Sequence, residues 1–227
     1  MSRIFRCHSK LNATLDGPTI KKQPLHLKQS DLDGACGPHC AVMALMLLGA
    51  VTRQEVESPG DIKYSSNKSL AQMWKRTRSF YFVGTAPRQL QSVLQPFKSS
   101  IKSRFLSKNK RIEKLIETLG SNGTCIVGIT TESMGHWVLA VGVSSASEYD
   151  KPDTLLMLDP DAPTMPLTPW NATLSVKANV RGMHRYESSS ISTKVFVGSV
   201  LALTPCIDRD LLNLDSDLDL ELELDLK

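Results

Sequence analysis

Gly37-Pro38-His39-Cys40-Ala41-Val42-Met43-Ala44-Leu45-Met46-Leu47-Leu48 reads as a buried helix, and the rest of the chain is arranged around it. Pro38 suits the first helical turn, where a backbone N–H has no partner to lose. Gly49 supplies a stop. Residues 41–48 are apolar on every side, which places this helix in the centre of a core and not on a surface. Before it, residues 1–28 are polar and irregular, broken by Gly17-Pro18 and Lys21-Lys22-Gln23-Pro24, and read as an arm with one short strand. After it, helices are expected over 69–78, 87–94 and 111–119. The last carries Ile112, Leu115, Ile116 and Leu119 at helical spacing and ends at Gly120.

The texture then changes. Thr124-Cys-Ile-Val-Gly-Ile-Thr130, His136-Trp-Val-Leu-Ala-Val-Gly-Val143, Thr154-Leu-Leu-Met-Leu158 and Lys194-Val-Phe-Val-Gly-Ser-Val-Leu-Ala-Leu203 are β-rich runs separated by turn residues. Helices first and strands second predict an α+β fold, in which a helical lobe with a central Cys-bearing helix packs against an antiparallel β-sheet. The expected organisation is an N-terminal arm over 1–28, a catalytic domain over 29–206 and an acidic, leucine-rich tail over 207–227.

Composition narrows the function classes. With 227 residues, 41% apolar and 22% charged, the chain has the balance of a soluble globular protein. No apolar run approaches the roughly 20 residues that cross a bilayer, and the basic start has no apolar stretch behind it, so neither a membrane span nor a signal peptide is expected. Five cysteines, scattered and odd in number, favour a reducing compartment. The expected location is cytoplasmic, or inside a host cell after delivery. Asn12, Asn67, Asn122 and Asn171 each open a glycosylation triplet, to which no weight is given without a signal peptide.

The net charge of +4 hides a division. Residues 207–227 carry eight acids against Arg209 and Lys227, leaving 25 bases against 15 acids in the rest. Between residues 61 and 114, thirteen Lys and Arg face only Asp61 and Glu113. A solvated basic surface is the plain reading; a docking face for an acidic partner, or for the tail, is the sharper one. The aromatics among these charges form no stacking motif, which argues against nucleic acid as the partner.

A nucleophilic cysteine needs a nearby base and donors for an oxyanion. Cys36 stands just before the central helix, where the dipole and free N–H groups favour a thiolate, and its own N–H can face an oxyanion. Gln29, seven residues upstream, offers a second donor. Among five histidines, His136 opens an apolar strand and so presents its ring at a strand edge. Asp159 follows residues 154–158 at the end of the next strand and can hold one imidazole nitrogen so that the other faces Cys36. Asp161 is the rival orienter. Cys40, one turn from Cys36, reads as core, His39 as helix surface, Trp137 as packing beside the cleft, and Cys7, Cys125 and Cys206 as structural. A zinc site using Cys36, Cys40 and His39 or His136 lacks a fourth ligand and the usual paired-cysteine spacing. No metal and no cofactor is expected.

Gln29 followed by Cys36-Gly37-Pro38, then Gly135-His136-Trp137-Val138-Leu139-Ala140-Val141-Gly142, then Leu158-Asp159-Pro160, resembles the papain-like cysteine peptidases. It is most similar to their bacteriocin leader (double-glycine) peptidase branch. The Gln-to-Cys gap is one residue longer than in that branch, and export-coupled leader cleavage by an attached transporter domain is not expected. The resemblance covers about residues 25–165. It implies a papain-like fold, Cys36 as nucleophile, His136 as base, Asp159 as orienting acid and Gln29 in the oxyanion hole. The expected activity is cleavage of a peptide or isopeptide bond of a protein substrate. The same thioester chemistry also serves deamidases, transglutaminase-like enzymes and acyltransferases, and such a scaffold can also serve as a binding module without catalysis.

In the tail, Leu218, Leu220, Leu222, Leu224 and Leu226 alternate with acids. Repulsion between the acids predicts disorder in isolation. The pattern resembles the Leu-x-Leu-x-Leu repression motif of plant regulators, which implies a corepressor-type partner and a delivered effector.

Overall fold

The computed structural model describes residues 3–30, 33–57, 67–132 and 135–206. The tail, with its expected disorder and corepressor motif, lies outside the described residues.

The strands run β1 (Ile4–Cys7), β2 (Asn12–Thr14), β3 (Gly17–Ile20), β4 (Gln23–Pro24), β5 (Ile101–Phe105), β6 (Thr124–Thr130), β7 (Gly135–Ser145), β8 (Thr154–Leu158), β9 (Ala172–Ser175), β10 (His184–Ser188) and β11 (Ser192–Pro205). The helices are α1 (Cys36–Leu48), α2 (Arg53–Glu57), α3 (Lys68–Thr77), α4 (Phe80–Val83), α5 (Pro87–Leu94) and α6 (Arg111–Gly120). The segment read as an irregular arm with one strand therefore holds four short strands. β2, β3 and β4 form a small sheet of their own, while β1 pairs with the end of β7.

The expected architecture, a helical lobe packed on an antiparallel sheet, is not what forms. The strands pair in the order β7-β6-β11-β10-β9-β8, every pair antiparallel, and β8 returns to pair with β7. The six strands thus close into a barrel, which is the commonest way for a sheet to abolish its edges. Register shifts between Ala140 and Gly142 on β7, and between Val197 and Val200 on β11, bend the two longest strands around the closure.

The sequence explains the closure once both faces of the strands are followed. Cys125, Val127, Val138, Ala140, Leu155, Met157, Val200 and Ala202 belong to one buried cluster together with Leu174, Tyr186 and Val195. Their immediate neighbours Ile126, Leu139, Leu156, Leu158, Leu201 and Leu203 belong to a second cluster with α1. The period-2 alternation sends one set into the barrel and the other outward under the helices. The runs are apolar on both faces for that reason. Leu115 of α6 joins the inner cluster, whereas Leu70 and Met73 of α3 and Leu90, Val93 and Leu94 of α5 share the outer cluster with α1 and the strands. The helices cover the barrel and do not form a lobe of their own.

α1 begins at Cys36 and stops at Gly49, whose φ of 82° is the left-handed geometry that a Cβ disfavours. All of its residues but His39 are buried. Its closest neighbours are β7 and β6, so its first turn stands over the start of β7. No helix among the described residues is long and apolar enough to cross a membrane.

Candidate active site

Of the four residues singled out by the sequence, Gln29, Cys36 and His136 line one cleft, and Asp159 stands buried behind His136. Cys36 is the first residue of α1. His136 is the second residue of β7. Asp159 follows directly on β8, the strand paired with β7 through Leu139 and Leu158. Gln29 arrives on the segment before α1, tied by its N–H to the Pro160 carbonyl at 2.8 Å. An open cleft of about 850 Å³ is lined by Gln29, Cys36, His136, Trp137 and Asp161 on one side, and by the 83–87 segment, Gly128, Thr130 and Ser199 around them.

His136 Nε2 donates to Asp159 Oδ1 at 2.6 Å, with side chains 9% and 6% exposed. That leaves Nδ1 on the side of Cys36, which lines the same cleft and whose Sγ–H points to the Gly34 carbonyl at 3.9 Å. Burial alone would lower the His136 pKa. The hydrogen bonds to Asp159 and Cys36, and the charges of both, outweigh burial and raise it to about 10. The ring therefore sits between a carboxylate and a sulfur, which together favour its protonated form.

Asp159 is enclosed by donors. Burial favours its neutral form, but His136, the Tyr186 hydroxyl on Oδ2 and the Asp161 N–H on Oδ1 at 2.8 Å bring its pKa below the usual carboxylate range. Its backbone is fixed as well. The Asp159 N–H donates to Asn171 Oδ1 at 2.7 Å, and its carbonyl accepts from Asn171 Nδ2 and His26 Nε2, both at 2.8 Å. Asp161, the rival orienter, gives Asp159 its backbone N–H while its own side chain stands exposed in the cleft.

Sequence reading missed Tyr186 and Asn171. Tyr186 lies in β10, where a buried–exposed–buried alternation over residues 184–186 marks the inward face within an otherwise polar stretch. Asn171 carries only the triplet signal that was set aside, and it is buried.

Gln29 enters the cleft with its amide only half used. Nε2 lies 3.5 Å from the Asp33 carbonyl, and Oε1 is buried without a hydrogen-bond partner among the described residues. The Thr85 hydroxyl in the same cleft is likewise unpartnered. Buried polar atoms without partners are rare in folded proteins and mark places where a ligand can supply the missing bond.

The remaining residues have structural employment. Cys40 Sγ–H donates to the Trp137 carbonyl at 3.3 Å inside the core, and burial pushes its thiol pKa well up. His39 Nδ1 donates to the Ala35 carbonyl at 2.8 Å, one turn back along α1. Trp137 is a wall of the cleft, its indole N–H donating to the Thr85 carbonyl at 2.8 Å. Gly37 is needed where these parts meet, since a Cβ there would come within 2.9 Å of the Thr85 Cβ and 3.3 Å of the Trp137 ring. Among the described residues, no group of three or more His, Cys, Asp or Glu side chains is placed to hold a metal ion.

A scan against protein-family models matches none, and a search of curated proteins finds no similar sequence.

Proposed function

We propose that the chain is a thiol hydrolase that cuts a peptide or isopeptide bond through an acyl-enzyme on Cys36. The observation that carries this reading is the His136 Nε2–Asp159 Oδ1 bond of 2.6 Å, with His136 and Cys36 lining the same open cleft. In this reading these residues take the roles that the resemblance implied, on a different architecture.

In this mechanism the Cys36 sulfur attacks the carbonyl carbon of the scissile bond, and its proton resides on His136. The negative charge that develops on the carbonyl oxygen meets the Cys36 N–H at the start of α1. Turning the Gln29 amide by half a rotation presents its N–H₂ where the unpartnered oxygen now stands, giving a second donor. His136 then passes its proton to the leaving amine, and the C–N bond breaks to leave a thioester. A water molecule gives one proton to His136 and attacks the thioester carbon. The carboxylic acid leaves, and the sulfur and imidazolium are restored. Asp159 keeps the Nε2–H tautomer and the ring plane throughout.

Incubating the protein and its Cys36→Ala variant with a proteome-derived peptide library, followed by mass spectrometry, tests the reading. New termini produced only by the protein with Cys36 intact support it. Gains of about 1 Da at glutamine with no chain breaks would replace it by deamidation, and no Cys36-dependent product would remove hydrolysis altogether.

A further inference from the structure

The cleft is not uniform along its length. Apart from Cys36 and His136, Asp161 is the one ionisable side chain among the described residues that line it. It is also held in place: its N–H is bound to Asp159 Oδ1, and Asp159 is clamped by Asn171. No hydrogen bond or ion pair engages the Asp161 carboxylate among the described residues, and the side chain is exposed in the cleft.

The opposite wall is backbone and small residues, with no ionisable side chain facing the cleft among the described residues. Gly198 and Ser199 lie in the β11 bulge, and Arg111 Nη1 donates to the carbonyls of Val197 and Gly198, which fixes the bulge from behind. At Gly128 a Cβ would come within 3.1 Å of the Trp137 ring and 3.3 Å of the Ser199 carbonyl. Strand order sets these two walls on either side of the nucleophile. Asp161 follows β8, His136 is on β7, and β6 and then β11 come beyond it. Three strand spacings amount to roughly 14 Å, the reach of about four extended residues. A peptide laid across the strand ends passes from the Asp161 carboxylate, over Cys36 and His136, to the wall formed by Gly128, Gly198 and Ser199.

We propose that Asp161 selects substrates that carry a lysine or arginine beside the bond attacked by Cys36. The proposal rests on the thiol-hydrolase reading above. Substrate is not needed to test it, because the field of Asp161 acts on any charged reagent that approaches the sulfur.

The probes are three methanethiosulfonates, one with a trimethylammonium group, one with a sulfonate and one neutral, each forming a mixed disulfide with loss of sulfinate. Modification is read at the Cys36 peptide by mass spectrometry. In the native protein the cationic-to-anionic rate ratio is expected to exceed that of free cysteine by roughly tenfold at low salt. Asp161→Asn is expected to bring the ratio back towards that of free cysteine and Asp161→Lys to invert it, with the neutral reagent reacting equally in all three proteins. Should the variants also slow the neutral reagent, the native protein decides alone: a ratio that falls as salt is raised supports the proposal, and a flat one overturns it. A native ratio equal to that of free cysteine, or an unchanged ratio in Asp161→Asn, overturns the role of Asp161 and leaves the nucleophile standing. A Cys36 that reacts no faster than Cys7 and Cys206 with any reagent removes the hydrolase reading, and this proposal with it.

Discussion

Asn171 grips Asp159 at two points of the backbone, accepting its N–H at 2.7 Å and donating to its carbonyl at 2.8 Å, and it donates to the Ala162 carbonyl at 3.0 Å as well. The turn that carries the orienting carboxylate is thereby made rigid by a side chain outside the catalytic three. Asn171→Ala is expected to lower unfolding free energy by roughly 2–3 kcal/mol, because it strands buried backbone groups. It is also expected to lower kcat more than it raises KM. Denaturant unfolding and steady-state kinetics on a cleaved library peptide check both.

Asp159→Asn preserves shape and removes charge. Without the carboxylate the ring loses its tautomer preference and much of its hold on the proton. Activity is expected to fall by roughly 10²–10⁴-fold, and the thermal midpoint at neutral pH to fall as well, because the buried imidazolium loses its counter-charge. An activity within a few-fold of the native protein would show that Asp159 does not orient His136.

The His136 proton links stability to pH. Its pKa is raised from 6.5 to about 10 in the folded protein, so folding binds this proton more tightly. The stabilisation is complete below pH 6.5 and is lost as pH rises to about 10. The difference in melting temperature between the native protein and His136→Gln is therefore expected to be widest near pH 6 and to shrink steadily towards pH 10. A difference that grows with pH would contradict the assigned charge state.

Tyr186 acts at the other carboxylate oxygen. Folding depresses the Asp159 pKa, so its contribution is present above the ordinary carboxylate pKa and is lost as pH falls through the folded value. Tyr186→Phe removes one of the bonds behind that depression. Its acid-unfolding midpoint is expected to lie at higher pH than that of the native protein, with a cost of about 1–2 kcal/mol at neutral pH. Acid titration followed by circular dichroism measures it.

Local signals in the sequence were read well, and distant ones were not. Pro38, the apolar run and Gly49 placed α1 to within a residue, and Ile112, Leu115, Ile116 and Leu119 did the same for α6. The β-rich runs became β6, β7, β8 and most of β11. Barrel closure was invisible because it depends on β8 pairing both with β7 and with the short, polar β9, and no local pattern in Ala172–Ser175 announces a strand. The cleft residues were legible because each sits at an element end: Cys36 at a helix start, His136 near a strand start and Asp159 after a strand. Asn171 and Tyr186 were not, since their roles exist only once the turn after β8 and the inward face of β10 come together.

The most direct test of the central claim is the rate at which iodoacetamide alkylates Cys36 at pH 6.5, in the native protein and in His136→Ala. Peptide mass spectrometry follows Cys36, Cys7 and Cys206 in the same sample. A site in which His136 takes the thiol proton predicts that Cys36 reacts much faster than the other two, and that His136→Ala abolishes the difference. Equal rates at the three cysteines in the native protein, or a fast Cys36 that is indifferent to His136, would contradict it.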